Sequence, residues 1–119
     1  MTANCPFCAR IAAGEYDDRS PRFGAVTFEP LNPVTPGHRL VLPVTHVRSA
    51  LGYPAIAADV MAYAVLMAGK YGAGECNFIT SAGPAATQTV PHLHIHIVPR
   101  HLDDGLHLPW TGQQRGEAP

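Results

Sequence analysis

Residues 90–98 read Val90-Pro-His92-Leu-His94-Ile-His96-Ile-Val98, so three imidazoles alternate with aliphatic side chains. A strand turns successive side chains to opposite faces. His92, His94 and His96 then share one face, and Leu93, Ile95 and Ile97 point into a core. Next-but-one residues on a strand lie roughly 6.5–7 Å apart, close enough for the imidazoles to surround one reacting centre. On a helix the same residues would fan around the axis. Three chemistries fit the pattern. One is a solvent-facing strand that carries histidines with no further role. The second is a mononuclear metal site, for which His-x-His is a two-ligand fragment. The third is covalent phosphoryl or nucleotidyl transfer, in which a neutral imidazole attacks phosphorus and a neighbouring ring stabilises the oxygens. Cys5-Pro-Phe-Cys8 is a second candidate cluster. A thioredoxin-type redox site would follow a strand and open a helix, and no strand is expected ahead of Cys5. A zinc knuckle fits better and requires two further ligands. The simplest alternative is a pair of buried reduced thiols. Cys76 falls in an expected strand and reads as core.

The elements that must position these groups are short. A chain of 119 residues suits one compact domain. A hydrophobic fraction of 46% with 14% charged residues fits a folded protein, and a net charge of -1 gives no basic footprint for nucleic-acid polymers. No apolar run approaches the roughly 20 residues that cross a bilayer. The first residues lack a basic stretch followed by an apolar one, so cytoplasmic residence is expected and a membrane partner is not. An odd number of cysteines argues against a disulfide framework.

Residues 54–70 form the one convincing helix. Pro54 sits at its first turn and glycines at 72 and 74 end it. Ile56, Val60, Tyr63, Ala64 and Met67 fall on its core face. Strands are expected at 25–29, 39–43, 76–80 and 90–98. Residues 5–8 read as a knuckle followed by a helical turn through Ile11. Residues 15–22 read as a polar loop. Residues 30–37 form a proline-rich loop, and 81–89 a small, polar binding loop. Beyond Arg100 the chain is irregular, with Leu106, Leu108 and Trp110 as anchors. Arg39 and Arg100 could clamp phosphate, but solvent-facing charges are the simpler expectation. Asp103-Asp104-Gly105 reads as a turn. Short strands with one helix laid across them suggest a mainly antiparallel α+β sheet.

His92-Leu-His94-Ile-His96-Ile-Val98 resembles the signature of the histidine triad (HIT) superfamily of nucleotide hydrolases and transferases. Other segments resemble the same family in the same order. Cys5-Pro-Phe-Cys8-Ala-Arg-Ile-Ala-Ala-Gly-Glu15 is similar to its N-terminal Cys-x-x-Cys segment. Pro33-Val-Thr-Pro-Gly37-His38-Arg-Leu-Val-Leu-Pro43-Val-Thr-His46-Val47 resembles its Pro-Gly-His and His-Val stretch. Gln88-Thr89-Val90 and Pro99-Arg100 bracket the triad as family members do.

The resemblance implies a five-stranded, mainly antiparallel sheet with one main helix. Residues 1–100 would form the HIT domain with its knuckle, and 101–119 an irregular tail. His94 would be the nucleophile, and His96 would contact phosphate oxygens and assist the leaving group. His38 would lie beside the nucleophile. Gln88 and Thr89 would donate hydrogen bonds to phosphate, and Asn77 would sit near phosphate or ribose. Cys5, Cys8, His46 and His92 would hold a structural zinc, with no catalytic cofactor. The implied substrate is a purine nucleotide linked through its α-phosphate, such as a nucleoside phosphoramidate or dinucleoside polyphosphate. A homodimer is implied too, and Trp110 could pack on the partner subunit.

Two features depart from the family. The acidic residue or asparagine that holds ribose hydroxyls stands eight positions before the Pro-Gly-His histidine, and here that position is Pro30. Glu29 or Asn32 could substitute. The loop at 78–87 is longer than usual and ends in Ala86-Thr87, where glycine would adopt positive φ more cheaply. These departures keep open a nucleotide-binding module with little turnover. Zinc on the triad itself is the other alternative.

Overall fold

Runs rich in Val, Leu, Ile and Phe form the sheet's centre, as β-branched and aromatic residues suit a pleated, half-buried surface. The computed structural model describes residues 4–109, so Trp110 lies outside the described residues. The strands are β1 (Asp18–Ser20), β2 (Ala25–Phe28), β3 (Arg39–Pro43), β4 (Cys76–Ile79) and β5 (Ile95–Pro99). They form one sheet in the order β1-β2-β3-β5-β4, with every neighbouring pair antiparallel. The long helix, α2 (Pro54–Lys70), keeps the expected bounds. A shorter helix, α1 (Pro6–Ala12), replaces the single turn expected after the knuckle.

The two faces of the sheet carry separate cores. Val60, Tyr63, Ala64 and Met67 of α2 pack on Val41, Ile95 and Ile97. On the opposite face Val26, Phe28, Leu40 and Leu42 meet Phe7 and Ile11 of α1. Alternation along β2, β3 and β5 sorts residues between these cores. Leu93, Ile95 and Ile97 are buried toward α2, as the sequence pattern requires. Met61, Val65 and Leu66, on the outer side of α2, are exposed.

Three expectations need correction. Residues 18–20 are not loop. They pair with β2 through Asp18↔Thr27 and Ser20↔Ala25. A three-residue, polar edge strand has no apolar alternation to betray it. The triad strand is also shorter than 90–98. Regular pairing begins at Ile95, because the Leu93 N–H bonds to the Val47 carbonyl in a neighbouring loop (2.8 Å) rather than to a strand. His92 and His94 therefore stand ahead of the strand.

The third correction concerns Arg39, which is buried rather than solvent-facing. Its Nε donates to Thr27 Oγ1 (3.2 Å), its Nη2 pairs with Asp17 Oδ2 (2.5 Å), and its guanidinium lies 3.7 Å from the Tyr71 ring centroid. It ties β2 and β3 to the segment leading into β1 and to the C-terminal end of α2. By contrast, Arg100 is partly buried in an ion pair with Asp104, within the expected turn.

Gly37 shows why glycine precedes His38. Its φ is +86°, and a Cβ there would lie 3.2 Å from Pro99 Cγ. The bare backbone lets the start of β3 close against the end of β5, which brings His38 beside His96.

Removing the Arg39 side chain leaves a buried gap beside Thr27 and Tyr71, while half-exposed Asp17 is returned to water. Arg39→Ala is expected to lower the unfolding free energy by about 1–3 kcal/mol. Lys70→Ala breaks an exposed pair with Asp18 and should cost far less. Urea titration of both variants checks the contrast.

Candidate active site

His38, His94 and His96 meet on the face of the sheet that α1 shares. Hydrogen bonds fix which nitrogen of each ring carries a proton. His94 Nδ1 lies 2.7 Å from the His92 carbonyl and must donate to it. Its Nε2 is left as a lone pair. The Val34 N–H donates to His38 Nδ1 (3.1 Å), so His38 carries its proton on Nε2. That Nε2 faces His96 Nδ1 at 2.9 Å and donates to it. His96 in turn keeps its proton on Nε2. The site thus offers one imidazole lone pair beside one imidazole N–H donor, with ring centroids 5.1 Å apart.

Burial lowers the pKa of His94 and His38 below the usual imidazole value. His96 falls to about 4, first through burial and then through the neighbouring His94 and His38. Near neutral pH the three rings are uncharged. A lone-pair nitrogen is then available without prior deprotonation.

Two clefts meet at these rings. The larger, of about 580 Å³, has an apolar wall from Phe7, Phe28, Pro30 and Leu40. The smaller, of about 340 Å³, is lined by Ser81, Thr87, Gln88 and Thr89. His38, His94, His96 and Thr89 belong to both. Phe7 stands edge-on to His94, with centroids 5.1 Å apart, and helps position that ring.

His92 turns away from this centre, so the three triad rings do not surround one point. It is fully buried, and its Nε2 lies 2.8 Å from the Pro43 carbonyl, to which it must donate. Its Nδ1 lone pair joins Cys5, Cys8 and His46. The four ligand atoms lie within 4.8 Å of one another. His92 Nδ1 is 3.4 Å from Cys5 Sγ, 3.6 Å from Cys8 Sγ and 3.1 Å from His46 Nδ1, and Cys8 Sγ is 3.3 Å from His46 Nδ1. A tetrahedron built on ordinary Zn–S and Zn–N lengths has edges of roughly 3.3–3.8 Å. Four of the six spacings, at 3.1–3.6 Å, lie at or near those edges, as residues able to hold a metal in a Cys₂His₂ set require, and the Pro43 carbonyl orients the His92 ring as an outer partner should. The Cys8 N–H also donates to Cys5 Sγ (3.3 Å), capping α1.

The remaining candidates are placed differently from one another. Thr89 is exposed where the clefts join. Gln88 lies at the cleft edge, but its amide is engaged: Oε1 accepts from the Gly83 N–H (2.7 Å), and Nε2 donates to the carbonyls of Arg48 (2.6 Å) and Val90 (3.1 Å). Asn77 lies outside both clefts and accepts from Arg100 Nη1 (2.7 Å). Thr87 takes a left-handed conformation, with φ of 70°, despite the cost that a threonine meets there and a glycine would not. Asn32 lines the larger cleft, whereas Glu29 does not.

No motif in the sequence announces the cleft wall formed by Phe7, Arg10 and Phe28. Its only trace is the i, i+3 spacing of Phe7 and Arg10, which places both on one side of a helix.

Two measurements test this site. Chelation and Cys5→Ser should each lower the melting temperature, with loss of bound metal in the variant, because α1 is tied to the sheet through that cluster. Unchanged metal content and melting in Cys5→Ser would refute the assignment. The second concerns acid. An unfolded histidine takes up a proton near pH 6.5, whereas folded His96 resists until about 4. Its contribution is intact above about 6.5 and declines as the pH falls toward 4. His96→Asn should flatten that part of a stability–pH curve measured by denaturant titration.

Comparison with known proteins places this geometry. The HIT domain family profile matches residues 24–103. The protein hit of Bacillus subtilis (strain 168) is 31% identical over 119 aligned positions, covering 90% of this chain and 79% of the relative. An adenylylsulfatase of Arabidopsis thaliana is 29% identical, over 87% of this chain and 55% of its own length. A bis(5′-adenosyl)-triphosphatase of Saccharomyces cerevisiae (strain YJM789) is 32% identical over 60% of this chain and 37% of its own. A Streptococcus mutans UA159 crystal structure superposes with a TM-score of 0.82 at 29% identity, covering 98% of this chain and 78% of that one. A histidine triad protein from Clostridium difficile gives 0.73 at 29% identity, with 92% and 96% covered. With the profile spanning most of the sheet and all three triad histidines, the chain belongs to the HIT domain family.

Proposed function

We propose that this protein is a nucleotide hydrolase or nucleotidyltransferase acting at the α-phosphate of a nucleoside phosphoramidate or dinucleoside polyphosphate. One observation carries the reading. His94 donates its Nδ1 proton to the His92 carbonyl, which leaves the Nε2 lone pair at the junction of the two clefts. The apolar cleft suits a nucleoside, and the polar cleft suits phosphate and leaving group. Two relatives are named as hydrolases of adenylyl compounds, which supports the substrate class.

In this reading His94 Nε2 bonds to the α-phosphorus as the bond to the leaving group breaks. A protonated phosphoramidate nitrogen departs as the amine. The positive charge gained by the His94 ring is supported by the hydrogen bond from Nδ1 to the His92 carbonyl. The Nε2–H of His96 donates to a phosphoryl oxygen, and His38 holds that tautomer from behind. Thr89 supplies a hydroxyl where the clefts meet. Water or another acceptor then attacks phosphorus and releases His94 as the neutral ring.

Cys5, Cys8, His46 and His92 would hold zinc, which supplies structural cross-linking between α1 and the sheet. In holding His92, the same cluster positions the carbonyl that His94 uses.

Engagement of the Gln88 amide by the backbone of Gly83 and Arg48 favours a second reading, a nucleotide-binding module with little turnover. Intact-protein mass spectrometry separates the two. After brief incubation with an adenosine 5′-phosphoramidate, the enzyme reading expects an adenylyl-sized mass increase. It should vanish in His94→Ala and persist longer in His96→Ala. Bound nucleotide with neither adduct nor released AMP would select the binding module.

A further inference from the structure

The wall of the larger cleft holds one cation and no carboxylate. Among the described residues lining it, Arg10 is the only one with a charged side chain. Its guanidinium sits over Phe28, with Cζ 3.8 Å from the ring centroid. Its Nε is buried and has no hydrogen-bond partner. An acceptor entering the cleft would meet the guanidinium through its Nη1 and Nη2 donors, since the enclosed Nε is out of its reach. No carboxylate lines the cleft to supply one, and Pro30 has no polar side-chain atom. The surroundings limit what that acceptor can be. Phe7, Phe28 and Leu40 form an apolar slot. A flat, uncharged base fits such a slot, whereas a phosphate dianion there would lose its hydration to a single cation.

We propose that Arg10 selects the base of the nucleotide and favours guanine over adenine. This rests on the reading above that the larger cleft takes the nucleoside. A guanidinium offers two parallel N–H donors along one edge. Guanine presents two adjacent acceptors, O6 and N7, and pairs with that edge in bidentate fashion. Adenine presents N7 beside an amino group, so one arginine donor would face another donor. Seated on Phe28, the guanidinium is limited to few orientations, which keeps the ordering cost of the contact small.

Calorimetric titration of the purified, metal-bound protein with GMP, IMP and AMP tests the inference. IMP shares the O6/N7 edge of guanine but lacks its exocyclic amine. GMP and IMP should both bind about tenfold or more tightly than AMP. In Arg10→Met and Arg10→Lys the GMP-to-AMP ratio should fall to within about twofold, because neither side chain keeps the planar fork. Thermal melts establish that the variants fold. Equal or reversed preference in the wild type overturns the inference, and needs no variant. So does a wild-type preference that survives in both variants. Failure of the parent reading looks different. No purine nucleotide would then bind, and no His94-dependent adduct would form with adenosine or guanosine phosphoramidate. Adducts forming equally well with both nucleosides would sustain the parent reading and refute base selection.

Discussion

The hydrogen bond from His94 Nδ1 to the His92 carbonyl is the constraint on which the site depends. An imidazole free to exchange tautomers would spread its lone pair over two nitrogens. Here a main-chain acceptor at 2.7 Å selects one. That acceptor belongs to a residue whose own ring is held by Pro43 and by the Cys₂His₂ cluster. Thr80 Oγ1 donates to the His94 carbonyl (2.7 Å) and steadies the same segment from the β4 side. One short stretch of chain therefore belongs to two sites at once. His92 contributes its ring to the cluster and its carbonyl to His94.

The two faces of the sheet differ in chemistry. The α2 face is an apolar core that includes Tyr63 and Cys76, and the α1 face carries His94, His96, Cys5, Cys8 and the aromatic wall of Phe7 and Phe28. The register Leu40↔His96 and Ile79↔His96 places His96 midway between its two neighbouring strands. Such a side chain has little freedom. Its low pKa follows from that enclosure and from two neighbouring imidazoles.

Much of this arrangement is legible in the sequence, for identifiable reasons. The long helix has a proline start, a glycine stop and a continuous apolar face, so its limits are local information. Leu93, Ile95 and Ile97 announce their burial by alternation. The family resemblance brought Cys5, Cys8, His46 and His92 together, which spacing alone could not do across 87 positions. The bend that separates His92 from His94 and His96 was not legible. It arises from two long-range bonds, Leu93 to Val47 and His92 to Pro43. Strand β1 was hidden because it is polar and at an edge. Arg39 looked like a surface charge because its partners, Asp17, Thr27 and Tyr71, are scattered along the chain. Gln88 stands where the resemblance places it, yet its amide engages three backbone groups that no motif encodes.

Helix α1 has seven residues, too few to be stable alone in water. Its order comes from two attachments, the cysteine cluster at one end and Phe7 with Ile11 against the sheet. The same helix supplies one wall of the larger cleft. A metal held by the cluster and a ligand in the cleft would therefore both act on the order of this one helix. Whichever bound first would meet the entropy of fixing that wall, and the second would bind more tightly for it. Linkage would make the effect reciprocal: the cleft's occupant would strengthen the metal's hold by the factor that the metal strengthened its own.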